Sequence, residues 1–462
     1  MMRDKRELIK TFELMPNSKI ASKEFHQCES KLNEIFFQNF ELGVMLSYFL
    51  DQTYHNSFDF NIKSNFKELL ILVYKSFLNF KIPKDSGKSI IYFNRGKHRH
   101  YLKMTNSFCL DKDIRNKTLI IGSHESSDKR TIFHYHNLND FFKAVRFLFL
   151  NNKRIFKSVS LLNFSKKQKV ILCIHLAVQL LKTLSVEKFF KKQKLITIIG
   201  SDADRGEHSS IFYVVSRAHS IQSFTLQHGV INGYFGTYPL NADEVLVWGN
   251  MARRQFIEMG LDENRIKVTG TPIIEEINLG QKIKISAKKK YLLKSGKTIC
   301  LALSNPNKED DIKLVAFFSD IKNKYGEIDD NFLIKLHPAR DPLKYKWIEE
   351  KFDLQIIPSN IPYDDFIIFT DVLLTHSSGI AAECFYYNKK VGILDILSRS
   401  SGNGKMLNIF CNTMLMTKTS DFEKLINNST NAKPEEIYYK TGLSASIEIC
   451  NHIKNKLSLN KF

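Results

Sequence analysis

The sequence is poor in several things, and each absence excludes a class of protein. Its seven cysteines are odd in number and scattered, with no CxxC pair or metal-like spacing. That excludes a disulfide framework and a thiolate zinc site, and reduced thiols in a cytoplasmic protein are expected. Long apolar runs are missing too: the longest strongly apolar stretch, VILCIHLAVQLL at 170–181, carries His175 and falls short of the ~20 residues of a membrane span. The first residues, MMRDKRELIKTFELMPNSK, are charged throughout and lack the apolar core of a secretory signal. Acidic residues are outnumbered, 48 against 68 basic ones, which leaves a formal charge of +20. Such an excess attracts polyanions, either nucleic acid, anionic lipid or phosphorylated substrate. No RNA-binding signature or zinc-finger spacing accompanies it, so nucleic acid is set aside.

What is present is ordinary globular material. Apolar residues make up 43% and charged residues 25%, within the range of chains that fold, and 462 residues suffice for two domains or more. Basic clusters stand at SKKQK (165–169), EKFFKKQK (187–194) and AKKKYLLKSGK (287–297). The second combines lysines with a Phe pair, a mixture that suits an anionic membrane surface.

Residues 1–86 hold one glycine and two prolines, and stretches such as FKELLILVYKSFLNF read as helices: an N-terminal helical extension. From Lys88 short apolar runs begin to alternate with helical segments. SIIYF (89–93), TLIIGS (118–123), LITIIGS (195–201), SFTLQHG (223–229), EVLVWG (244–249) and IKVTGTP (266–272) form a first series. After a polar, lysine-rich connector from Glu275 to Lys290, TICLALS (298–304), NFLIKLHP (331–338), LQIIPS, DVLLTHSSG and KVGILD (390–395) form a second. Continuous apolar strands separated by helices indicate parallel sheet. The expected fold is α/β, with two Rossmann-like, doubly wound domains facing a cleft, spanning 87–274 and 275–462.

In such sheets ligands sit beyond the carboxyl ends of the strands. That rule singles out Asn94 to His100, Ser201 to Glu207, His228 with Gly229, His337 with Pro338, and His376 to Gly379. Ser377, Ser378 and Gly379 stand where a helix begins, and their N–H groups and hydroxyls can cap that helix or receive a phosphate. Glu383, about one turn further, is placed to grip sugar hydroxyls. His337 ends its strand because Pro338 forbids continuation, and a histidine there can offset charge on a departing phosphate. In the first series Asp202, Asp204, Glu207 and His228 are candidate bases, since burial raises a carboxylate's pKa toward neutrality. The DAD triplet at 202–204 is weak evidence for a metal, and none is expected. The basic loop with Arg95, His98 and Arg99 suits an anionic acceptor.

The order of these pieces resembles bacterial GT-B glycosyltransferases of the capsule, lipopolysaccharide and teichoic-acid group: capsular Kdo transferases, polysialyltransferase-like enzymes and glycerophosphotransferases that use CDP-glycerol. The resembling residues are His337-Pro338, Ser377-Ser378 with Glu383, LQHG at 226–229, ADEVLVWG and VTGTP. The resemblance implies a GT-B fold and transfer of a sugar from a nucleotide-sugar donor, CMP-linked or other, to a surface-polysaccharide or lipid-linked glycan, without a cofactor. It also implies that the histidine-proline pair and the serines bind the donor nucleotide. His228 departs from the glycerophosphotransferases in being followed by Gly-Val, so Asp202, Asp204 and His228 stand together as base candidates. A CDP-glycerol polymerase and a non-hydrolysing nucleotide-sugar epimerase are the rival activities. The expected location is the cytoplasm, at the inner face of the membrane.

Overall fold

The computed structural model describes residues 19–54, 62–77, 86–94, 99–122, 130–231, 236–303, 308–337, 340–358, 361–376, 378–397, 413–427 and 434–459. A two-residue hairpin, β1 (Phe36–Phe37) and β2 (Phe40–Glu41), lies between the helices Lys19–Asn33 and Leu42–Tyr54. The first large sheet contains β3 (Ile90–Asn94), β4 (Thr118–Gly122), β5 (Ile198–Ser201), β6 (Gln222–Leu226), β7 (Glu244–Val247) and β8 (Ile266–Val268). All its pairings are parallel and the order is β4-β3-β5-β6-β7-β8. The second contains β9 (Thr298–Leu303), β10 (Asn331–Leu336), β11 (Gln355–Ile356), β12 (Val372–Thr375), β13 (Lys390–Leu394) and β14 (Met414–Met416), again all parallel, in the order β11-β10-β9-β12-β13-β14. The α/β architecture of two doubly wound sheets expected from the sequence is therefore present.

These runs become strands because both faces of each sheet are covered, so residues of either parity are apolar. In β9 Ile299, Leu301 and Leu303 enter one cluster with Phe318 and Ile348, while Cys300 and Ala302 enter another with Phe366, Ala381 and Phe385. The latter cluster continues without a break into the first sheet, through Tyr213, Phe224 and Trp248. A separate cluster covers the other face of the first sheet and takes in Leu46, Phe49, Leu176 and Phe190 from the surrounding helices.

Helix Lys166–Lys192 is long and apolar enough to cross a membrane by length and composition, but 78% of its apolar window is buried inside the protein. It is the central core helix of this layer. Its length exceeds the apolar run seen in the sequence, since Gln179 and Lys182 interrupt the pattern yet are themselves buried. The pair Phe189–Phe190, expected at a membrane surface, is only 5% exposed at each ring and packs in the core, with Lys191 paired to Glu187 on the outside. This corrects the reading of EKFFKKQK: the helix buries the aromatics and turns only the lysines outward.

The chain passes between the sheets at two adjacent places. Gly270, at φ +87°, lets the backbone of VTGTP approach Lys440 so closely that a Cβ would lie 2.3 Å from the Lys440 carbonyl oxygen. Thr271 N–H donates to Lys440 (2.9 Å) and Gly442 N–H donates to Thr271 (3.0 Å). The final helix, Gly442–Leu459, then packs on helix Arg99–Leu110 of the first domain, through Ser446 to Ser107, Cys450 to the Ser107 carbonyl and Lys454 to Asp111.

Candidate functional site

The second sheet reverses its strand order between β9 and β12, and the carboxyl ends there define a crevice. Register places Lys335, Ala302 and Thr375 side by side on β10, β9 and β12. His337 follows Lys335 by two residues, on the same face, and is exposed. Its N–H donates to the Leu303 carbonyl (3.1 Å) and its carbonyl accepts from Arg340 N–H (2.8 Å), so the backbone is fixed while the ring faces solvent. Pro338 lies outside the described residues, as does Ser377.

After β12, His376 turns inward: 3% exposed, its Nδ1 lies 2.9 Å from the Leu394 carbonyl oxygen. Ser378 is half-buried and its N–H donates to Thr375 Oγ1 at 3.1 Å. The phosphate cradle expected from residues 377–379 therefore has one amide fewer to offer. Gly379 is exposed and caps helix Ile380–Tyr386 at φ −61°, and a Cβ built there would meet nothing within 4 Å. A glycine with ordinary φ and open space serves neither a turn nor a close internal contact.

Glu383 is 7% exposed, on the first turn of that helix. Tyr363 lies beside Glu383; burial first, then that neighbouring carboxylate, push the phenol pKa far above its usual range. Lys335 shares this neighbourhood, with its Nζ 5.1 Å from the centre of the Phe366 ring. Burial holds its ammonium below the usual lysine range, and Glu383 acts in the opposite direction. The second sheet thus brings Lys335 and Tyr363 into the neighbourhood of Glu383, while His337 and Gly379 follow the carboxyl ends of β10 and β12 at the surface. Lys335 and Tyr363 were missed by the sequence reading, and the signal for the first was a lone lysine in the otherwise apolar NFLIKLHP.

The first sheet uses its strand-end residues differently. Asp204 is 5% exposed and accepts the N–H groups of Asn241 (2.6 Å) and Ala242 (2.8 Å). Burial pushes its carboxyl up to about 6, against those hydrogen bonds. Arg205 beside it is held by both oxygens of Glu29, at 3.1 and 2.7 Å. Asp202 is fully buried, and its charge helps raise the pKa values of Tyr92 and Tyr213, after burial itself. Glu207 lies 3.0 Å from Lys182 Nζ, which also meets Glu68 (2.6 Å) and His208 Nε2 (3.2 Å). Glu68, Glu207 and His208 have metal-like spacing, and the Lys182 ammonium stands as the cation among them. That ammonium, opposing burial, holds Glu207 far below the usual carboxylate range, while Glu207 and Glu68 outweigh burial at Lys182 and raise its pKa.

His228 is the half-exposed member of the first-sheet set, its ring 6.4 Å from that of Tyr101. The turn carrying it is stapled on both sides. Gln227 Nε2 donates to the Gly229 carbonyl (2.8 Å), Trp248 N–H donates to Gln227 Oε1 (2.8 Å), and Trp248 Nε1 donates to the Gln227 carbonyl (2.7 Å). LQHG and LVWG, far apart in sequence, are thus one rigid unit. Arg95 and His98, and the Arg99 side chain, lie outside the described residues.

At the opposite, amino edge of the second sheet a groove of about 810 Å³ is lined by Lys284, Lys288, Lys289, Leu292, Lys297 and Asp371. Lys284 pairs with Asp371, and Lys288 donates to the carbonyls of Ser295 and Gly296.

No family model matches the chain, and no curated protein matches it. Among solved structures it is similar to a UDP-GlcNAc 2-epimerase from Neisseria meningitidis bound to UDP-GlcNAc, with 12% identity over 80% of this chain and 100% of that one, at a TM-score of 0.48. A UDP-N-acetylglucosamine 2-epimerase from Rickettsia bellii is similar at 12% identity, covering 81% and 98% of the two chains, with a TM-score of 0.49. A glycosyltransferase from Rickettsia africae is similar at 13% identity, 81% and 97% coverage, and a TM-score of 0.43.

Proposed function

We propose that the chain is an enzyme that holds a nucleotide-activated sugar at the carboxyl edge of its second sheet and transfers the sugar to a glycan or lipid-linked acceptor. The observation that supports this reading is the shared neighbourhood of Lys335 and Glu383 beside the strand-order reversal, with His337 exposed just past the end of the strand that carries Lys335. Cleavage of a nucleotide–sugar bond builds negative charge on the leaving phosphate, and cationic or hydrogen-bonding groups fixed beside it lower the barrier. Lys335 and His337 supply those groups, and the open surface at Ser378 and Gly379 admits the phosphates. Glu383, beside Tyr363, accepts from sugar hydroxyls. His228 is the proposed base: it is half-exposed on a rigid turn that follows a strand of the first sheet.

Epimerisation of the sugar is the second reading; it is the activity in the names of two of the three similar structures described above and uses the same nucleotide end of the site. Thermal shifts with CMP, CDP, UDP and GDP test the shared premise, since a ligand at about 100 times its Kd adds ~2.7 kcal/mol. Silence toward all four would overturn both readings. Incubating the responding nucleotide-sugar in D2O without acceptor then separates them. An epimerase removes and returns a carbon-bound proton, so deuterium enters the sugar; a transferase leaves the sugar unlabelled and needs an acceptor for turnover.

A further inference from the structure

Two neighbouring helices of the first domain turn large apolar side chains to solvent. Helix Ile62–Ser76 and the residue after it expose Phe66, Leu70, Tyr74 and Phe77, at the i, i+4, i+8, i+11 spacing of a single stripe. Helix Leu138–Ser158 exposes Phe142, Val145, Phe149 and Leu150, with the Phe149 ring 77% accessible. The two helices pack against each other. Eight large apolar side chains on adjacent helices exceed the scattered exposure normal for a protein surface.

The rim of this face is basic. Lys67, Lys143, Arg146, Lys153, Arg154 and Lys157 are all exposed. The acidic residues described on the two helices are turned away and already paired: Asp140 with Lys188, and Glu68 with Lys182. Six uncompensated cations around an aromatic surface fit one partner best. Anionic lipid headgroups neutralise the rim while the rings enter the boundary between headgroups and acyl chains. A second copy of the chain fits poorly, because a symmetric pairing through this face would bring the two basic rims together.

We propose that helices Ile62–Ser76 and Leu138–Ser158 form the surface by which this protein docks on an anionic membrane. The inference is independent of the nucleotide reading, since none of its residues belongs to that site. It moves the membrane contact from the Phe pair at 189–190, which is buried, to the opposite end of the same layer's sequence.

The test is co-sedimentation of the full chain with phosphatidylcholine vesicles and with vesicles that also contain phosphatidylglycerol. Binding is expected to the anionic vesicles only, and to be lost at high salt. Removing three rim charges, Arg146→Gln, Lys153→Gln and Arg154→Gln together, should weaken it roughly 100-fold, at about fivefold per charge. Phe142→Ser with Phe149→Ser should weaken it about tenfold or more with the melting temperature unchanged, because both rings are already in water. Failure of the full chain to pellet with anionic vesicles would overturn the proposal, as would variants that pellet like the parent. A Lys289→Gln/Lys294→Gln change that abolishes binding while the Phe changes are silent would move docking to the groove on the second sheet. Binding to a soluble anionic polysaccharide without vesicle pelleting, or a dimer abolished by Phe149→Ser, would likewise sink it.

Discussion

The carboxyl edges of the two sheets carry similar residue types to different ends. On the first sheet Asp204, Arg205 and Glu207 are buried or ion-paired, and each is matched to a partner far along the chain: Asn241 and Ala242, Glu29, and Lys182. On the second, His337 and Gly379 are exposed, Ser378 is half-buried, and the buried acids include Asp311, paired with Arg340, and Glu383, which sits with Tyr363 and Lys335. The two edges differ in exposure: Asp204 is 5% exposed and held by two backbone amides, whereas His337 and Gly379 reach the surface and a Cβ at Gly379 would meet nothing within 4 Å among the described residues.

The largest expected effect tests the first edge. Lys182→Met leaves the half-exposed carboxylates of Glu68 and Glu207 without their shared cation and should cost about 1–3 kcal/mol, read as a lower midpoint in denaturant unfolding. If stability is unchanged, Lys182 is not the cation that holds this cluster.

The pH dependence of stability tests the same edge. His26 and His175 are held down to about 4, chiefly by burial, so unfolding below their usual 6.5 takes up two protons. Asp204, held up at about 6 against 3.8, releases one on unfolding in the same interval. For the histidines, stability is lost as pH falls from 6.5 to 4; for Asp204 it is lost as pH rises from 4 to 6. The uptake of one proton by these three groups together gives stability that rises with pH by about 1.4 kcal/mol per unit near pH 5, and His136 and Glu207, both held below their usual ranges, add to that rise. Asp204→Asn should steepen that rise and His175→Gln should flatten it. A flat profile in the parent protein would show that these burials are not maintained in solution.

The second edge yields smaller effects on folding and larger ones on binding. Tyr363→Phe removes the hydroxyl beside Glu383 and should weaken nucleotide-sugar binding about tenfold, as measured by calorimetry. Smallest for the fold is Gly379→Ala. With ordinary φ and no atom within 4 Å of the new Cβ, stability should shift by less than about 0.5 kcal/mol, while nucleotide affinity falls. Equal affinity in that variant would mean that no phosphate approaches Gly379.

The strands were readable because a parallel sheet buried on both faces leaves near-continuous apolar runs, as β3, β9, β12 and β13 show. β14, three residues long, had too few positions to show a pattern. The strand-end rule singled out His337, and helix spacing past Ser378 added Glu383, without any partner being known. It could not separate them from Asp204, because what consumes Asp204 is a pair of backbone amides some 37 and 38 residues later, and no local pattern reports them. Tyr363 was invisible for the same reason: its importance is a contact with Glu383 made across the βα repeat. The Phe pair at 189–190 was misjudged because a basic, aromatic octapeptide looks alike whether its rings face lipid or core.

The helix Gly442–Leu459 follows the second sheet in sequence and rests on the first in space, beside the Thr271–Thr441 contact. A chain severed near residue 275 would therefore give two pieces with complementary surfaces, one lacking the helix that covers Ser107 and the other carrying that helix bare. Such fragments should find each other when produced together and aggregate when produced apart, which makes the crossover a natural point at which to split this protein into a reconstitutable pair.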